Sequence, residues 1–190
     1  MHEKNQPNPK RKNHLWGKTF EIVSQQLRGA KKPIEIARRA PGVRLIIING
    51  RNMLITKEYR YELGEYDYRL PGGKVFDSLK EYKEAISRKS DILKCAVEAA
   101  KKECLEETGI IARSVKLFQA SKAGLTVVWD LFYFIVDDFE MSSRGQRLEH
   151  DEIIHPEWKT FEEVRKLCLN NKIQEDRTVG ILLRFLLKKN

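Results

Sequence analysis

The sequence lacks the features of a membrane protein or of a protein from an oxidising compartment. It has no apolar run of about eighteen residues, and its first residues, MHEKNQPNPKRKN, contain neither the apolar stretch nor the small-residue cleavage site of a secretory signal. Its three cysteines show no CxxC spacing. We therefore expect a soluble, cytoplasmic protein without membrane association, in which Cys95, Cys104 and Cys168 are reduced packing residues.

Several common functional motifs are also missing. The stretch Gly72-Gly73-Lys74 has neither the earlier glycine nor the Ser/Thr of a P-loop, and the four histidines offer no zinc spacing. The chain contains no internal repeats and no low-complexity tract. These absences argue against a P-loop nucleotidase, a structural zinc site and a solenoid.

Positive charge is concentrated in the first third of the chain. Residues 1–60 contain 14 Lys or Arg and 4 acids, a balance of +10, whereas the whole chain has a net charge of +9. This imbalance suggests a phosphate-bearing ligand or a polyanion nearby. Residues 1–14 are polar and basic without hydrophobic periodicity, so we expect them to form a disordered, solvated arm.

Hydrophobic periodicity predicts a mixed α/β fold. Segments rich in β-branched and aromatic residues predict strands over residues 19–27, 33–37, 43–48, 52–59 and 66–70. Beyond the glycine pair, the pattern predicts a helix over 78–88 and a second helix over 91–108, which Ser90 caps and Gly109 ends. It then predicts strands over 114–120 and 125–136, a polar and acidic loop over 137–152, a short strand ending at Trp158, and helices over 161–170 and 175–188. A mixed sheet flanked by helices is the simplest architecture.

The second predicted helix ends in a concentration of acid, in the stretch KECLEET. On a helical wheel, Glu103 and Glu107 fall within the apolar arc, while Lys94, Glu98 and Lys101 lie on the other side. Burying an unpaired carboxylate costs several kcal/mol, and the helix C-terminus adds roughly 0.3–1 kcal/mol of repulsion. Basic side chains could compensate, or the helix end could fray into water, but clustered carboxylate oxygens suit a divalent cation such as Mg²⁺ best.

The stretch that runs from the glycine pair to KECLEETGI resembles the signature of Nudix hydrolases, G-x5-E-x7-R-E-U-x-E-E-x-G-U, in which U is a bulky aliphatic residue. The matching residues are Glu103, Glu106, Glu107, Gly109 and Ile110.

Three features depart from that signature. Lys102 stands in place of the arginine, and Cys104 in place of an aliphatic residue. Gly73 precedes Glu103 by thirty residues rather than fifteen, which we interpret as an inserted helix at about 78–89. The central glutamate of the signature then has no certain counterpart, and Glu81 and Asp91 are both candidates.

The flanking segments are similar to the ADP-ribose and nucleoside diphosphate sugar pyrophosphatase branch of the Nudix family. They are KEYR, LGEYDYRLPGG, an S-x-x-G loop at residues 121–124, and the stretch from His150 through Trp158 to Ile173, so the resemblance covers about residues 17–187. The proline that often precedes the glycine of that loop is replaced by Ala123. The resemblance implies a Nudix-type α/β/α sandwich over residues 41–190 and a small antiparallel β region over residues 15–40, through which members of the branch commonly form homodimers.

The resemblance also implies a function and a site. The expected reaction is Mg²⁺-dependent hydrolysis, with Mn²⁺ as a substitute, of the diphosphate in a nucleoside diphosphate-linked small molecule such as ADP-ribose. The implied metal ligands are Glu103, Glu106, Glu107 and the carbonyl of Gly72, and Glu106 is counted as catalytic as well. The implied general base is Glu152, with Glu149 and Asp151 as alternatives. Arg39 and Arg60 are implied substrate contacts, and Trp16 is a candidate for stacking on a base or for packing at an interface.

Two other functions stay open. A dinucleotide or the 5′ end of an RNA could be the substrate, because the first third is basic, although nucleic acid is not the favoured partner. The chain could instead be a non-catalytic module that binds a nucleotide, since Lys102 and Cys104 depart from the signature, but the three intact glutamates argue against this.

Overall fold

The computed structural model describes the backbone of residues 12–189 and the side chains of residues 17–189. Its strands are β1 (Lys12–Trp16), β2 (Phe20–Gln25), β3 (Ile34–Arg39), β4 (Gly42–Asn49), β5 (Asn52–Arg60), β6 (Glu65–Arg69), β7 (Ile110–Ser121), β8 (Val127–Val128), β9 (Leu131–Met141) and β10 (Ile154–Thr160). Its helices are α1 (Leu79–Ser87), α2 (Ile92–Thr108), α3 (Phe161–Leu169) and α4 (Asp176–Leu187). Among residues 12–189, no helix has both the length and the apolar character needed to cross a membrane.

The larger sheet is mixed and has six strands. Its order is β10-β5-β4-β9-β7, and β6 pairs with β5 on a separate edge. The strands β4 and β9 run parallel to each other, and the remaining pairs are antiparallel. Seven of the eight residues of β4 are buried, as expected for a central strand covered on both faces.

Two hydrophobic clusters cover the two faces of this sheet. Because side chains alternate along β4, Ile46 and Ile48 pack with α3 and α4, whereas Leu45 and Ile47 pack with α2. On α2, the contact is made by small side chains, Ala96, Ala100 and Cys104, all fully buried. The predicted α/β/α sandwich with a mixed sheet is therefore confirmed.

A smaller sheet is formed by β1, β2, β3 and β8. The first three strands are antiparallel, as predicted for the N-terminal β region, and β8 adds to β3 in parallel. The predicted disordered arm extends to residue 14, but strand β1 begins at Lys12. The prediction is therefore wrong for residues 12–14. The rest of that predicted arm, residues 1–11, lies outside the described residues, as does the side chain of Trp16.

The helix boundaries follow local capping. Ser78 caps α1, so this helix begins within one residue of its predicted start. Asp91, rather than the predicted Ser90, caps α2, because its carboxylate accepts hydrogen bonds from the backbone N–H groups of Leu93 and Lys94. Gly109 ends α2 in a left-handed conformation with φ of 69°, which confirms the predicted stop.

Two predicted boundaries between strand and loop are wrong. Residues 137–141, predicted as the start of an acidic loop, belong to β9, because this stretch pairs with β7 and its acids face cations on that strand. The ion pairs are Lys116–Asp137 at 3.0 Å, Arg113–Asp138 at 3.8 Å and Arg113–Glu140 at 2.6 Å. The strand predicted over 125–136 is divided, since Val127 and Val128 pair with β3 and β9 begins only at Leu131.

Candidate active site

A cleft of about 280 Å³ lies where the C-terminal half of α2 meets the loop that follows β6. We call one part of its lining the acidic part. It consists of Glu103, Glu106 and Glu107 from α2 with Glu149 and Glu152 from the loop after β9. We call a second part the basic part. It consists of Arg39 from β3, Arg44 from β4, Arg60 from β5 and Arg69 from β6. Fold and sequence thus bring carboxylates and guanidinium groups to one concave site.

Two glycines allow the loop after β6 to approach the carboxylates of α2. Gly72 has φ of 144°, and a β-carbon there would collide with the carbonyl oxygen of Val43. Its N–H donates a hydrogen bond of 2.8 Å to Oε2 of Glu107. At Gly73, a β-carbon would collide with the carboxylate of Glu103. The loop is fixed to β4 by two backbone bonds, from Val43 N–H to the Gly73 carbonyl and from Leu45 N–H to the Pro71 carbonyl.

Glu103 and Glu107 point inward, as the helical wheel predicted. Glu107 is only 8% exposed and Glu103 is partly buried. Burial raises the pKa of Glu107 to about 8, and repulsion from Glu103 adds to this shift. Burial likewise raises the pKa of Glu103 to about 7, with further repulsion from Glu106. A cation placed between these groups would therefore stabilise their ionised forms.

The donor set suits a hard cation, because every candidate ligand is an oxygen. Within residues 17–189, however, no three His, Cys, Asp or Glu side chains are arranged as a complete metal site. Glu106 is paired with Lys102, whose Nζ lies 3.4 Å from its Oε2, and Gly72 meets Glu107 through its N–H. Glu103 and Glu107 fit Mg²⁺ as a pair, since Mg²⁺ in such sites is commonly held by one or two carboxylates, with waters and substrate phosphates as further ligands.

The loop over residues 142–153 is tied to the end of α2. Ser142 N–H bonds to the Gly109 carbonyl and Arg147 N–H to the Glu106 carbonyl, both at 2.8 Å. The side-chain amide of Gln146 donates to the carbonyl oxygens of Glu107 and Ile154. These donors satisfy backbone groups at the helix end that would otherwise lack partners, and they fix the position of the loop.

This loop supplies two of the three candidate general bases to the cleft. Glu149 and Glu152 line it, and the Glu152 carboxylate accepts a hydrogen bond of 3.0 Å from the backbone N–H of Glu149. Asp151 is exposed, lies outside the lining, and is paired with His150. Glu149 and Glu152 therefore lie in the cleft and Asp151 does not, and the role of a general base stays a prediction.

The arginines of the basic part differ in how they are held. Arg44, which is buried, makes two hydrogen bonds to the Glu175 carboxylate, of 3.0 and 3.3 Å. Arg60 is paired with Glu58 at 2.7 Å and with Glu62 at 2.9 Å, and Arg69 lies 3.6 Å from Glu58.

Arg39 has no such acidic partner among the described side chains and instead contacts aromatic rings. Burial, with repulsion from Arg44, lowers the pKa of Arg39 and of Arg69. An anion bound in the cleft would relieve this repulsion.

Comparison with known proteins gives a structural relationship only. The sequence matches no protein-family model and no curated protein. The structure is similar to the crystal structure of a protein called ADP compounds hydrolase, with a TM-score of 0.67 over 98% of this chain and 96% of that chain, at 16% sequence identity. The fold is Nudix-like.

The sequence-based list of site residues is incomplete. Most of the predicted site residues line the cleft, namely Arg39, Arg60, Gly72, Glu103, Glu106, Glu107, Glu149 and Glu152, and their roles stay predictions. Glu81, Asp91 and Asp151 do not line it, and the side chain of Trp16 lies outside the described residues. Sequence reasoning missed Arg44, Arg69 and Trp129, which line it as well. Arg44 carried a usable signal, because it is the one charge in the apolar run GVRLIIIN and such a residue is rarely buried without a partner. Trp129 carried none, since it lies in a loop whose position depends on β8 and β9.

Proposed function

We propose that this chain is a Nudix hydrolase that cleaves the diphosphate linkage of nucleoside diphosphate compounds, with Mg²⁺ as its cofactor. The observation that carries the proposal is the pair Glu103 and Glu107, which point into the same cleft as four arginines and whose ionised forms a cation would stabilise. The similar fold of a protein named as a hydrolase of ADP compounds supports it.

The acidic part would hold the metal. Glu103 and Glu107 are the ligands that the geometry favours, and Glu106 could join them by giving up its exposed ion pair with Lys102. Bound there, Mg²⁺ would neutralise the carboxylates, polarise a phosphate oxygen and lower the pKa of a water molecule. Glu152, with Glu149 as the alternative, would accept a proton from the water that attacks phosphorus.

The basic part would hold the diphosphate. Arg39 and Arg60 are the proposed substrate contacts, because planar guanidinium groups match phosphate oxygens in pairs of hydrogen bonds. Arg39 is available for this without breaking an ion pair among the described residues, whereas Arg60 would have to share its bonds with Glu58 and Glu62. Water would add to one phosphorus as the bridging P–O bond breaks, which leaves two phosphate monoesters.

Within this reaction class we favour ADP-ribose or a related nucleoside diphosphate sugar, giving a nucleoside monophosphate and a sugar phosphate. We also propose a homodimer formed through the N-terminal sheet. This sheet exposes Phe20, Val127 and Val128, each about two-fifths accessible, and the neighbouring Leu125 is 91% exposed.

A substrate panel tests the proposal. The protein would be incubated with Mg²⁺ and, separately, with ADP-ribose, other nucleoside diphosphate sugars, dinucleotides and a 5′-capped RNA, and the products identified by mass. Release of AMP from ADP-ribose is the expected result. Activity that rises with RNA length and falls steeply with salt would instead favour an RNA end as substrate.

A nucleotide-binding module without turnover is the second candidate. It is favoured by the lack of a complete three-residue metal site among residues 17–189. Calorimetry with ADP-ribose and Mg²⁺ separates the two, because heat of binding without any release of AMP would support the module and contradict the enzyme.

A further inference from the structure

A chain of contacts in the basic part connects Arg39 to α4. The Cζ atom of Arg39 lies 5.5 Å from the ring centre of Phe20 and 4.5 Å from that of Trp129. The Cζ atom of Arg177, near the start of α4, lies 4.3 Å from the centre of the same indole. Arg177 also donates a hydrogen bond of 2.9 Å from Nη1 to the backbone carbonyl of Trp129. Trp129 is therefore held by α4 and is itself in contact with Arg39.

Aromatic contacts replace polar ones at Arg39. Among residues 17–189, the side chain of Arg39 makes neither an ion pair nor a hydrogen bond, whereas those of Arg44 and Arg60 are each bonded to carboxylates. A guanidinium group that lies over an aromatic ring is attracted by the ring and keeps its N–H edges available. Since Arg39 lines the cleft, those edges can meet an anionic ligand there.

The indole nitrogen separates two explanations of what Trp129 contributes. Nε1 of Trp129 is buried and has no hydrogen-bond partner. The ring therefore acts on Arg39 through its aromatic face and not through its N–H. Phenylalanine would keep an aromatic face and would remove an unpaired buried donor, a change that costs little. Leucine would keep apolar volume and remove the aromatic face.

We propose that Trp129 is a positioning residue that holds Arg39 in the orientation needed to bind a phosphate group of a nucleoside diphosphate. The proposal rests on the proposed function for the chemical class of the ligand. It adds that Trp129 acts on the ligand through Arg39, and that Arg177 supports Trp129 from α4.

The test is ADP binding in the presence of Mg²⁺, measured by calorimetry on the full chain and its variants. Trp129→Leu should raise the Kd for ADP about tenfold, as expected when Arg39 adopts the binding orientation only about a tenth of the time, and Trp129→Phe should stay within about twofold of the unmodified protein. In the Arg39→Gln background, Trp129→Leu should have no further effect, because the group that it positions is already absent. Thermal unfolding checks that each variant is folded. Should the leucine variant not fold, Trp129→Met provides the same comparison with a more adaptable apolar side chain.

Three results would overturn the proposal. They are unchanged ADP binding by Trp129→Leu, an equal loss on adding Trp129→Leu to Arg39→Gln, and no ADP binding by the unmodified protein. The proposed function fails on a different result. If the expected binding pattern is found but no diphosphate compound is hydrolysed, the positioning role of Trp129 is supported and the proposed hydrolase activity is contradicted.

Discussion

The Glu107 carboxylate accepts a hydrogen bond of 2.8 Å from the backbone N–H of Gly72. This bond joins the last turn of α2 to the loop after β6, two segments that are thirty-five residues apart in sequence. No cationic side chain of residues 17–189 is paired with Glu107, so this N–H is the polar group that partly compensates for its burial. A carboxylate held in this way is preorganised to receive a cation.

Replacing Glu107 by glutamine should remove turnover while the fold is kept. The amide has the same shape and can still accept the Gly72 bond, but it carries no charge for a metal. We expect hydrolysis of the best substrate in the panel to fall by more than about a hundredfold. Glu98→Gln is the matched control, because Glu98 is exposed on α2 and, within the described part of the chain, is paired only with Lys101. If the Glu107→Gln variant hydrolysed substrate at the rate of the unmodified protein, Glu107 would not be a ligand of the catalytic metal.

Thermal stability without divalent ions should fall as the pH rises from about 5 to 8. Both carboxyl pKa values are raised from 4.5, that of Glu103 to about 7 and that of Glu107 to about 8, so the folded protein binds more protons than the unfolded chain in this window. The free energy of unfolding therefore decreases with pH. Mg²⁺ should restore it at pH 8 by at least about 2 °C in Tm.

The Glu107→Gln variant is the control for this titration. It should show a weaker pH dependence, a higher Tm than the unmodified protein at pH 8 in chelator, and a smaller response to Mg²⁺. Identical pH profiles for the two proteins would mean that Glu107 does not titrate in this range.

Gly73→Ala should weaken metal binding. The added β-carbon would meet the Glu103 carboxylate, which must then leave its position. We expect the Mg²⁺ concentration for half-maximal activity to rise about tenfold or more. Gly180→Ala makes the same chemical change in α4. There, apart from adjacent residues and the helix backbone itself, no heavy atom of residues 17–189 lies within 4 Å of the new methyl group. This substitution should stabilise the protein by about 0.5–1 kcal/mol without altering the Mg²⁺ requirement. An unchanged requirement in Gly73→Ala would contradict the proposed place of Glu103.

Glu152→Gln should lower kcat by about a hundredfold or more with little change in the Mg²⁺ requirement, as expected for a general base. Asp151→Asn is the matched control, since Asp151 is adjacent in sequence but lies outside the cleft lining. If Glu149→Gln has the large effect and Glu152→Gln does not, the base is Glu149. Full activity of both variants would place the base elsewhere.

The sequence predicts the architecture where hydrophobic periodicity is strong. The helices α1, α2, α3 and α4, the central strands and the inward direction of Glu103 and Glu107 all follow from spacing, because the sheet must be covered on both faces. The end of β9 was missed because Asp137, Asp138 and Glu140 have the composition of a loop, whereas their pairing with β7 and with its cations depends on the fold.

The site was only partly predictable for a similar reason. Carboxylates concentrated in one helix turn are visible in the sequence, but Arg44, Arg69 and Trp129 come from three separate segments that the fold assembles. The contact from Trp129 to Arg39 depends on the turn between β8 and β9 and on α4. Such a contact joins residues ninety positions apart and leaves no local pattern.

The most direct test of the account is a crystal structure of the protein soaked in Mn²⁺ with a non-hydrolysable ADP-ribose analogue. We predict anomalous density for a metal ion bonded to carboxylate oxygens of both Glu103 and Glu107, with the diphosphate of the analogue between this ion and Arg39. Glutamate side chains turned into solvent, without metal density beside them, would contradict the central claim.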